Sequence, residues 1–367
     1  MRITGVRAFR QLQPFRDGQY STAGGAATGF DSVLVAVDTE HGVTGWGEAA
    51  PLGSFYSEAF PSGARAGVAE LAPHLIGEDA SQPLRLVRRM DAVMRGQAYV
   101  KSALDMACWD AAARSREQPL CEALGGRFGD SVALYRSIPP VAPPAAAELA
   151  RRHLHGGYRR LQVKVGGDPS VDAERLAAVR AAAGPSVVLY ADANGGWSSA
   201  DARRFLRAAA GQQFILEQPC ATLEECRVVR AACPHPMALD ESISSTRALL
   251  QAWQEGIADG VTVKIARLGG VTRAAAMRDL AVELGLEVTV EDTGGSSIDT
   301  AAMVHLSLST PADLRTHTVD FSSWVTVANA EGVPVARNGT LSAPVGPGLG
   351  VYVHEPALGE PFFRTPA

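Results

Sequence analysis

The sequence predicts an α/β fold in which a (β/α)8-type, TIM-like barrel follows a smaller α+β domain. At 367 residues the chain is longer than one average domain, and a barrel takes about 250 residues. From about residue 131, short apolar runs alternate with alanine- and arginine-rich helical stretches, which is typical of βα units. Before that point, apolar and polar residues first alternate as they do in β-strands, and the later residues show the periodicity of helices.

The barrel prediction depends on strand candidates that recur at intervals of roughly 25 residues, eight in all, as a (β/α)8 barrel requires. They are Val132–Ser137, Arg160–Val165, Val187–Ala191, Phe214–Glu217, Met237–Leu239, Val261–Ile265, Glu287–Val290 and Arg315–Val319. Helix candidates between them, each bounded by Gly, Pro, Ser or Asp, are Asp172–Ala183, Ala200–Ala210, Ser245–Gly256 and Thr272–Leu284.

The first domain, residues 1–125, is predicted to cap the barrel, which takes residues 126–330. Its strand candidates include Ser32–Val37 and the returning strand Val43–Glu48, joined by a turn. Its helix candidates are Ala64–Leu75, Leu84–Met94 and Val100–Ser115. The tail, residues 331–367, is rich in Pro and Gly, and we expect it to return to the capping domain.

Composition narrows the classes of partner. The chain is 46% apolar and 20% charged, with a net charge of −5 and both signs interspersed. It therefore offers no basic stripe for nucleic acid and no long apolar stretch for a membrane. The strand-like N-terminus and five cysteines without zinc-like spacing favour a cytoplasmic protein. We expect a small-molecule carboxylate substrate and a homo-oligomer.

Polar residues cluster where the predicted strands end, and the active site of such a barrel lies at the carboxyl ends of its strands. Three acids there, Asp192, Glu217 and Asp240, follow three successive strands. A single acid at such a position is more often an ordinary solvated group. Three in register suit Mg²⁺, with Mn²⁺ as an alternative, because both ions prefer oxygen ligands.

Two lysines, Lys164 and Lys264, end the strands on either side of this acidic trio. A nearby divalent cation lowers the pKa of an ammonium group, which lets a lysine act as a base near neutral pH. The alternative for either lysine alone is a plain ion pair with the acids. The presence of two favours the catalytic interpretation.

Five motifs carry a family resemblance: Leu161-Gln-Val-Lys-Val-Gly166, Tyr190-Ala-Asp-Ala-Asn-Gly-Gly-Trp197, Leu216-Glu-Gln-Pro219, Leu239-Asp-Glu-Ser242 and Val263-Lys-Ile-Ala-Arg-Leu-Gly-Gly270. With Gly45-Trp-Gly-Glu-Ala49 and Ala103–Asp110, they resemble the enolase superfamily in its muconate lactonizing enzyme subgroup. The resemblance implies that Asp192, Glu217 and Asp240 hold Mg²⁺. It also implies that Lys164 and Lys264 exchange protons with the α-carbon of a carboxylate, a chemistry already described for this superfamily.

One position departs from the subgroup, which usually has two lysines two residues apart on the second barrel strand. Gln162 takes the first of these positions. The missing cation removes one influence that lowers the pKa of Lys164. We expect Gln162, Asn194 and Glu241 to contact the metal ligands and the lysines without touching the substrate.

Finer similarity points to enzymes that epimerise proline betaines or dehydrate cis-3-hydroxy-L-proline. It depends on Gly53-Ser-Phe-Tyr56, Glu291-Asp-Thr-Gly-Gly295 and Asp320-Phe-Ser-Ser-Trp324. The resemblance implies that loops around Gln19–Gly24 and Gly53–Ser57 contact the substrate. Tyr56 and Trp324 could face a cationic ring nitrogen and Asp292 could pair with it, although packing explains either aromatic equally well.

The favoured function is Mg-dependent 2-epimerisation or racemisation of a proline-type acid through an enolate. Dehydration of cis-3-hydroxy-L-proline is the alternative, since the same enolate can expel a β-hydroxyl. N-acylamino-acid racemisation and cycloisomerisation rank lower because neither needs a cation site. Two hypotheses come from other classes of protein. One is an aldolase that forms a Schiff base with Lys264 and needs no metal, and the other is a binding protein without catalytic activity.

Overall fold

The computed structural model describes residues 1–22 and 24–366, and the chain is a mixed α/β structure. The strands are β1 (Ile3–Pro14), β2 (Tyr20–Thr22), β3 (Gly25–Ala27), β4 (Gly29–Thr39), β5 (Thr44–Ala49), β6 (Val132–Ala133), β7 (Tyr135–Ile138), β8 (Arg160–Lys164), β9 (Val188–Asp192), β10 (Ile215–Glu217), β11 (Met237–Leu239), β12 (Gly260–Lys264), β13 (Glu287–Glu291), β14 (Ala330–Glu331), β15 (Ala336–Arg337), β16 (Thr340–Leu341), β17 (Tyr352–Val353) and β18 (Phe363–Arg364).

The helices of the first half lie between β5 and β6, and those of the second half follow its strands. They are α1 (Pro61–Leu71), α2 (Pro83–Val93), α3 (Ala98–Ser115), α4 (Leu120–Ala123), α5 (Pro143–His155), α6 (Pro169–Ala183), α7 (Ser199–Ala208), α8 (Leu223–Arg230), α9 (Thr246–Gln254), α10 (Ile265–Leu268), α11 (Val271–Glu283) and α12 (Ser297–Leu308). Short 3₁₀ turns cover Ala72–Leu75, Phe321–Ser323 and Glu355–Leu358.

An antiparallel sheet in the order β18-β1-β4-β5 forms the first half, with α3 packed on β5. Two glycines allow that packing. A Cβ atom at Gly45 would lie 2.0 Å from the carbonyl oxygen of Ala107, and one at Gly47 would lie 2.0 Å from that of Ala103. The Gly45–Ala49 motif therefore has a steric explanation, since only glycine lets the strand approach the helix backbone this closely.

The second half is built on a parallel sheet that, within the described residues, has seven strands in the order β13-β12-β11-β10-β9-β8-β7. The predicted eighth strand, Arg315–Val319, is not a regular strand, so the prediction of eight regular strands is wrong at this position. Single parallel bridges instead join Thr318 to Leu134 and Arg315 to Val288. This segment thus hydrogen-bonds to both edges of the sheet without a continuous ladder.

The first predicted barrel strand, Val132–Ser137, is divided in two. Its first part, β6, pairs antiparallel with β16, whereas its second part, β7, pairs parallel with β8. The end of the tail pairs with the first sheet, where Arg364 lies opposite Arg7. The final segments of the chain therefore pair with the first sheet and with β6, the strand just before the parallel sheet.

Buried polar contacts join the two halves beside the site. The carboxylate of Asp105 in α3 accepts hydrogen bonds from the backbone N–H of Thr272 at 2.8 Å and from its hydroxyl at 2.6 Å. Glu48 in β5 accepts from the backbone N–H of Ser296 at 2.9 Å. In the part of the chain that the structure describes, none of the helices is both long and apolar enough to cross a membrane.

Candidate functional site

Three carboxylates follow neighbouring strands at the same edge of the parallel sheet. Asp192 ends β9 and lies directly opposite Glu217, which ends β10. Asp240 follows β11 by one residue. All three are at most 2% exposed. Parallel strands put their carboxyl ends at one edge, which is why acids far apart in sequence meet here.

The two predicted lysines flank these acids, with β9, β10 and β11 lying between their strands. Lys164, at the end of β8, donates to Oδ2 of Asp192 at 2.5 Å and to Oδ1 of Asn194 at 3.1 Å. Lys264, at the end of β12, donates to Oδ2 of Asp240 at 2.6 Å. The acids thus lie between two buried ammonium groups.

Both lysines are held in their charged form. Burial lowers the pKa of the Lys164 ammonium group, but the groups around it, Asp192 first among them, together outweigh burial and raise the pKa well above its ordinary value. Lys264 has a raised pKa for the same reason, with Asp240 as its main carboxylate partner. The plain ion pair considered in the sequence analysis is therefore formed at both lysines.

Arg267 completes the cluster and was not assigned a role from the sequence. Its guanidinium group contacts the carboxylate of Asp240 and donates through Nη2 to the hydroxyl of Tyr56 at 3.0 Å. Lys264 also donates to that hydroxyl, at 2.6 Å. The available signal was spacing: Arg267 follows Lys264 by three residues within one short helical turn, which brings both to the same side.

Gln162 lies beside the middle acid of the trio. Its side-chain amide donates to Oε2 of Glu217 at 2.9 Å, and the hydroxyl of Thr262 is 3.2 Å from Oε1. Burial raises the pKa of Glu217 well above its ordinary value, and the negative charges of Asp192 and Glu291 raise it further. A neutral donor therefore stands where the subgroup places a second lysine.

The donor set fits a hard divalent cation, because buried carboxylates that repel one another gain from a shared positive charge. The side chains of Asp192 and Asp240 are turned toward lysines, however. Among residues 1–22 and 24–366, no three Asp, Glu, His or Cys side chains stand together as a ready ligand cluster.

Both lysines line one small space of about 30 Å³, the inner cavity, near the sheet edge. This space is smaller than a proline-type acid, so its walls would have to move apart for such a molecule to enter. Side chains predicted to touch the substrate line it too. Its walls include Tyr20, Phe30, Leu52, Tyr56, Tyr135, Gln162, Lys164, Asp192, Asn194, Lys264, Glu291, Asp292, Thr293, Phe321 and Trp324.

Asp292 lines the inner cavity with its carboxylate fixed by backbone groups. Oδ2 accepts from the N–H of Ala266 at 2.9 Å, and Oδ1 accepts from that of Thr293 at 2.7 Å. Burial raises the pKa of Asp292, and its backbone donors oppose that rise. Asp299 lies next to it and has a pKa raised by burial and by the charge of Asp292.

Asn194 and Glu241 connect the two sides of the site. The amide of Asn194 donates to Oε1 of Glu241 at 3.0 Å, and the hydroxyl of Tyr56 lies 3.3 Å from the same oxygen. Asn194 has a backbone φ of +44°, an uncommon conformation that asparagine tolerates better than most residues. A chain of polar contacts thus runs from Lys164 through Asn194 and Glu241 to Tyr56.

Two loops, those that the resemblance implies contact the substrate, supply aromatic walls of the inner cavity. Tyr20 comes from the Gln19–Gly24 loop, of which Ala23 lies outside the described residues, and Tyr56 comes from the Gly53–Ser57 loop. The rings of Tyr20 and Trp324 lie 5.1 Å apart, and Phe321 is also 5.1 Å from Trp324. In the described part of the chain, the buried indole Nε1 of Trp324 has no hydrogen-bond partner.

Two family models match the chain. Residues 5–125 match the mandelate racemase/muconate lactonizing enzyme N-terminal domain, and residues 145–357 match the enolase C-terminal domain-like model. Among curated relatives, a cis-3-hydroxy-L-proline dehydratase from Roseibium aggregatum is 40% identical over 365 residues, which is 99% of this chain and 100% of that protein. An N-succinyl-L-Arg/Lys racemase from Bacillus cereus is 26% identical over 98% of both chains.

Solved structures agree in fold over the whole chain. A mandelate racemase/muconate lactonizing enzyme from Roseovarius nubinhibens superimposes with a TM-score of 0.94 at 36% identity, covering 100% of this chain and 99% of that one. An enolase superfamily member from the same organism, complexed with magnesium, has a TM-score of 0.95 at 35% identity with both chains fully covered. The chain belongs to the mandelate racemase/muconate lactonizing enzyme family of the enolase superfamily.

Proposed function

We propose that the protein dehydrates cis-3-hydroxy-L-proline by removing its α-proton and expelling its 3-hydroxyl group. The observation that carries this proposal is that Lys164 and Lys264, which end strands separated by β9, β10 and β11, both line one cavity. The full-length similarity to a cis-3-hydroxy-L-proline dehydratase supports the choice of substrate over the 2-epimerisation favoured from sequence. Either reaction begins with loss of the α-proton.

The stereochemistry of the substrate matches two bases on opposite sides. In the cis isomer the 3-hydroxyl lies on the same face of the ring as the carboxylate, so the α-hydrogen lies on the other face. If a divalent cation on the acids lowers the pKa of one lysine, that lysine can take the α-proton in its neutral form, while the other, as an ammonium group, protonates the departing hydroxyl. The C–H electrons become the new ring double bond, the C–O bond breaks, and the hydroxyl leaves as water.

We assign Asp192, Glu217 and Asp240 as the ligands of Mg²⁺, with Mn²⁺ as a substitute. When bound there, the ion would offset the negative charge that develops on the substrate carboxylate. Gln162 holds Glu217 in position through its 2.9 Å hydrogen bond. Asn194 and Glu241 keep Lys164 and Tyr56 in place on the two sides.

The ring nitrogen of the substrate is cationic at neutral pH and needs compensation. Asp292 supplies a buried carboxylate in the inner cavity, and its backbone donors keep that group pointed in one direction. Trp324 adds an aromatic face, which attracts a cation by about 1 kcal/mol or more when water is excluded. Tyr56 is engaged by Lys264 and Arg267, so we assign it to orienting that lysine.

Epimerisation of proline betaine is the second candidate, favoured by the same opposed lysines. With no leaving group at carbon 3, a proton returned from the opposite face inverts the α-carbon. The aromatic group of Tyr20, Phe321 and Trp324 suits a quaternary nitrogen equally well.

Proton NMR in D₂O with Mg²⁺ separates the candidates. We expect cis-3-hydroxy-L-proline to lose the signals of its α-proton and of the proton on the hydroxyl-bearing carbon 3, whereas L-proline, proline betaine and 4-hydroxyproline betaine keep their α-proton signals. Exchange and inversion of a betaine without dehydration would instead establish the epimerase. Activity that survives EDTA, together with a borohydride-trapped lysine, would indicate a Schiff-base enzyme.

A further inference from the structure

A second and larger cavity lies outside the inner cavity and shares two side chains with it. This outer cavity has a volume of about 670 Å³. Tyr20 and Trp324 line both spaces, and their rings are 5.1 Å apart. A molecule in the outer cavity is therefore separated from the two lysines by this pair of aromatic rings.

Three arginines from different parts of the chain line the outer cavity. Arg16 follows β1, Arg136 lies in β7, and Arg152 lies in the last turn of α5. Within residues 1–22 and 24–366, these three have no carboxylate within ion-pair distance, whereas arginines such as Arg7, Arg114 and Arg267 form ion pairs. Asp17 is the acidic side chain among the lining residues.

The arginines make only neutral contacts. Arg16 donates through Nη2 to the backbone carbonyl of Val325 at 3.0 Å. Arg136 donates to the hydroxyl of Ser323 at 3.2 Å, and its guanidinium group lies 5.0 Å from the centre of the Tyr158 ring. Three guanidinium groups against one carboxylate leave the cavity with a net positive charge that the described protein does not neutralise.

The pKa of His153 responds to this positive charge. Burial, together with the charges of the neighbouring Arg136 and Arg152, lowers its pKa to about 4, and Asp17 opposes this shift. The ring is therefore neutral at pH 7. An anion in the outer cavity would counter the two arginines and raise the pKa of His153.

We propose that the outer cavity is a binding site for a small carboxylic acid on its way to the inner cavity. This inference rests on the proposed function, since it takes its ligand class from the proposed substrate. Arginine suits the task because its planar donors match a carboxylate. Basic charge at the mouth of a cleft also raises the local concentration of an anionic substrate and its rate of association.

The binding test uses pivalate, a carboxylate that has no α-hydrogen and cannot react. The protein carries ¹³C-labelled histidine, is loaded with Mg²⁺, and has the His153 signal assigned with a His153→Gln variant. We expect pivalate to raise the pKa of His153. Arg152→Gln should weaken the pivalate response about fivefold, the effect of losing about 1 kcal/mol of charge interaction.

Two variants control for folding and charge. Arg151 is next to Arg152 on α5 but pairs with Glu148 and does not line the cavity, so Arg151→Gln should leave pivalate binding unchanged. Arg136→Lys keeps the charge and should retain most of the binding. The binding site would be overturned if pivalate left the pKa of His153 unchanged. It would also be overturned if pivalate shifted that pKa equally in the Arg151 and Arg152 variants.

Kinetics test the transit role. We expect Arg152→Gln to lower kcat/KM for cis-3-hydroxy-L-proline about fivefold with kcat unchanged, and to weaken the dependence of kcat/KM on ionic strength. An unchanged kcat/KM would overturn this role. If no proline-type acid is turned over, the proposed function fails, and the pivalate response still decides whether the outer cavity binds carboxylates.

Discussion

The side-chain amide of Gln162 donates to Oε2 of Glu217 at 2.9 Å, so a neutral group supports the middle acid of the trio. We expect Gln162→Leu to weaken Mg²⁺ binding by about 10- to 100-fold, because it leaves a buried carboxylate oxygen without its donor. Calorimetric titration with Mg²⁺ measures this effect. Thr262→Val removes the longer 3.2 Å contact on the other oxygen and should cost less. Equal affinity in Gln162→Leu and the unsubstituted protein would remove Glu217 from the ligand set.

Trp324 tests the site proposed for the substrate nitrogen. Replacing it with Leu should raise KM for cis-3-hydroxy-L-proline about tenfold, since an aliphatic side chain cannot attract a cation as an aromatic face does. Trp324→Phe keeps an aromatic face and should raise KM less. Steady-state kinetics and thermal unfolding of both variants separate binding from packing. A KM that depends only on side-chain volume would assign Trp324 to packing.

Gly47 tests the close contact between β5 and α3. A Cβ atom there would lie 2.0 Å from the carbonyl oxygen of Ala103, so Gly47→Ala should lower the free energy of unfolding by about 3 kcal/mol or more. Gly167 is the matched control, because a Cβ there meets nothing nearer than a carboxylate oxygen at 3.9 Å. Denaturant titration of both variants should show a loss at Gly47 only. Equal stability would mean that strand and helix separate easily.

His305 should contribute to loss of stability in acid. Its ring is buried, with Nδ1 accepting from the backbone N–H of Cys121 at 3.3 Å, and burial lowers its pKa to about 4. The unfolded chain binds a proton at His305 near its ordinary pKa of about 6.5. The unfolded state therefore holds more protons between about pH 6.5 and pH 4, and stability falls as the pH is lowered through this range.

The expected loss at His305 is about 3 kcal/mol between these limits. His305→Asn removes the titrating ring. The free energy of unfolding of this variant should therefore fall less steeply as the pH is lowered through that range, even if the variant is less stable at the start. Urea titrations at several pH values measure both slopes. Parallel slopes for the two proteins would show that His305 does not govern the acid response.

The strands and the strand-end residues were predictable because each short apolar run ends in a chemically distinct side chain. Lys164, Asp192, Glu217, Asp240 and Lys264 all lie at the sheet edge where the strand pattern put them. The pairing of lysines with acids was less predictable. It depends on which way each side chain turns, and strand periodicity does not specify that direction.

Some features left little signal in the sequence. Every residue of α12 is buried, so this helix lacks the polar face that periodicity detects. The short α8 is marked mainly by the capping box of Thr222 and Glu225. The Arg315–Val319 segment has the composition of a strand, but the segments beside it pair with it only through isolated β-bridges. Such irregular pairing depends on tertiary geometry and not on local pattern.

The most direct test of the two-lysine chemistry is to measure how fast the α-C–H bond of cis-3-hydroxy-L-proline is cleaved. The proteins to compare are the Lys164→Gln and Lys264→Gln variants and the unsubstituted protein, each loaded with Mg²⁺. Single-turnover NMR follows loss of the α-proton signal, with circular dichroism to confirm folding. We predict that each substitution slows this step by about 100-fold or more, because each removes a proton-transfer group. Cleavage at the unsubstituted rate in either variant would contradict the assignment of both lysines to the reaction.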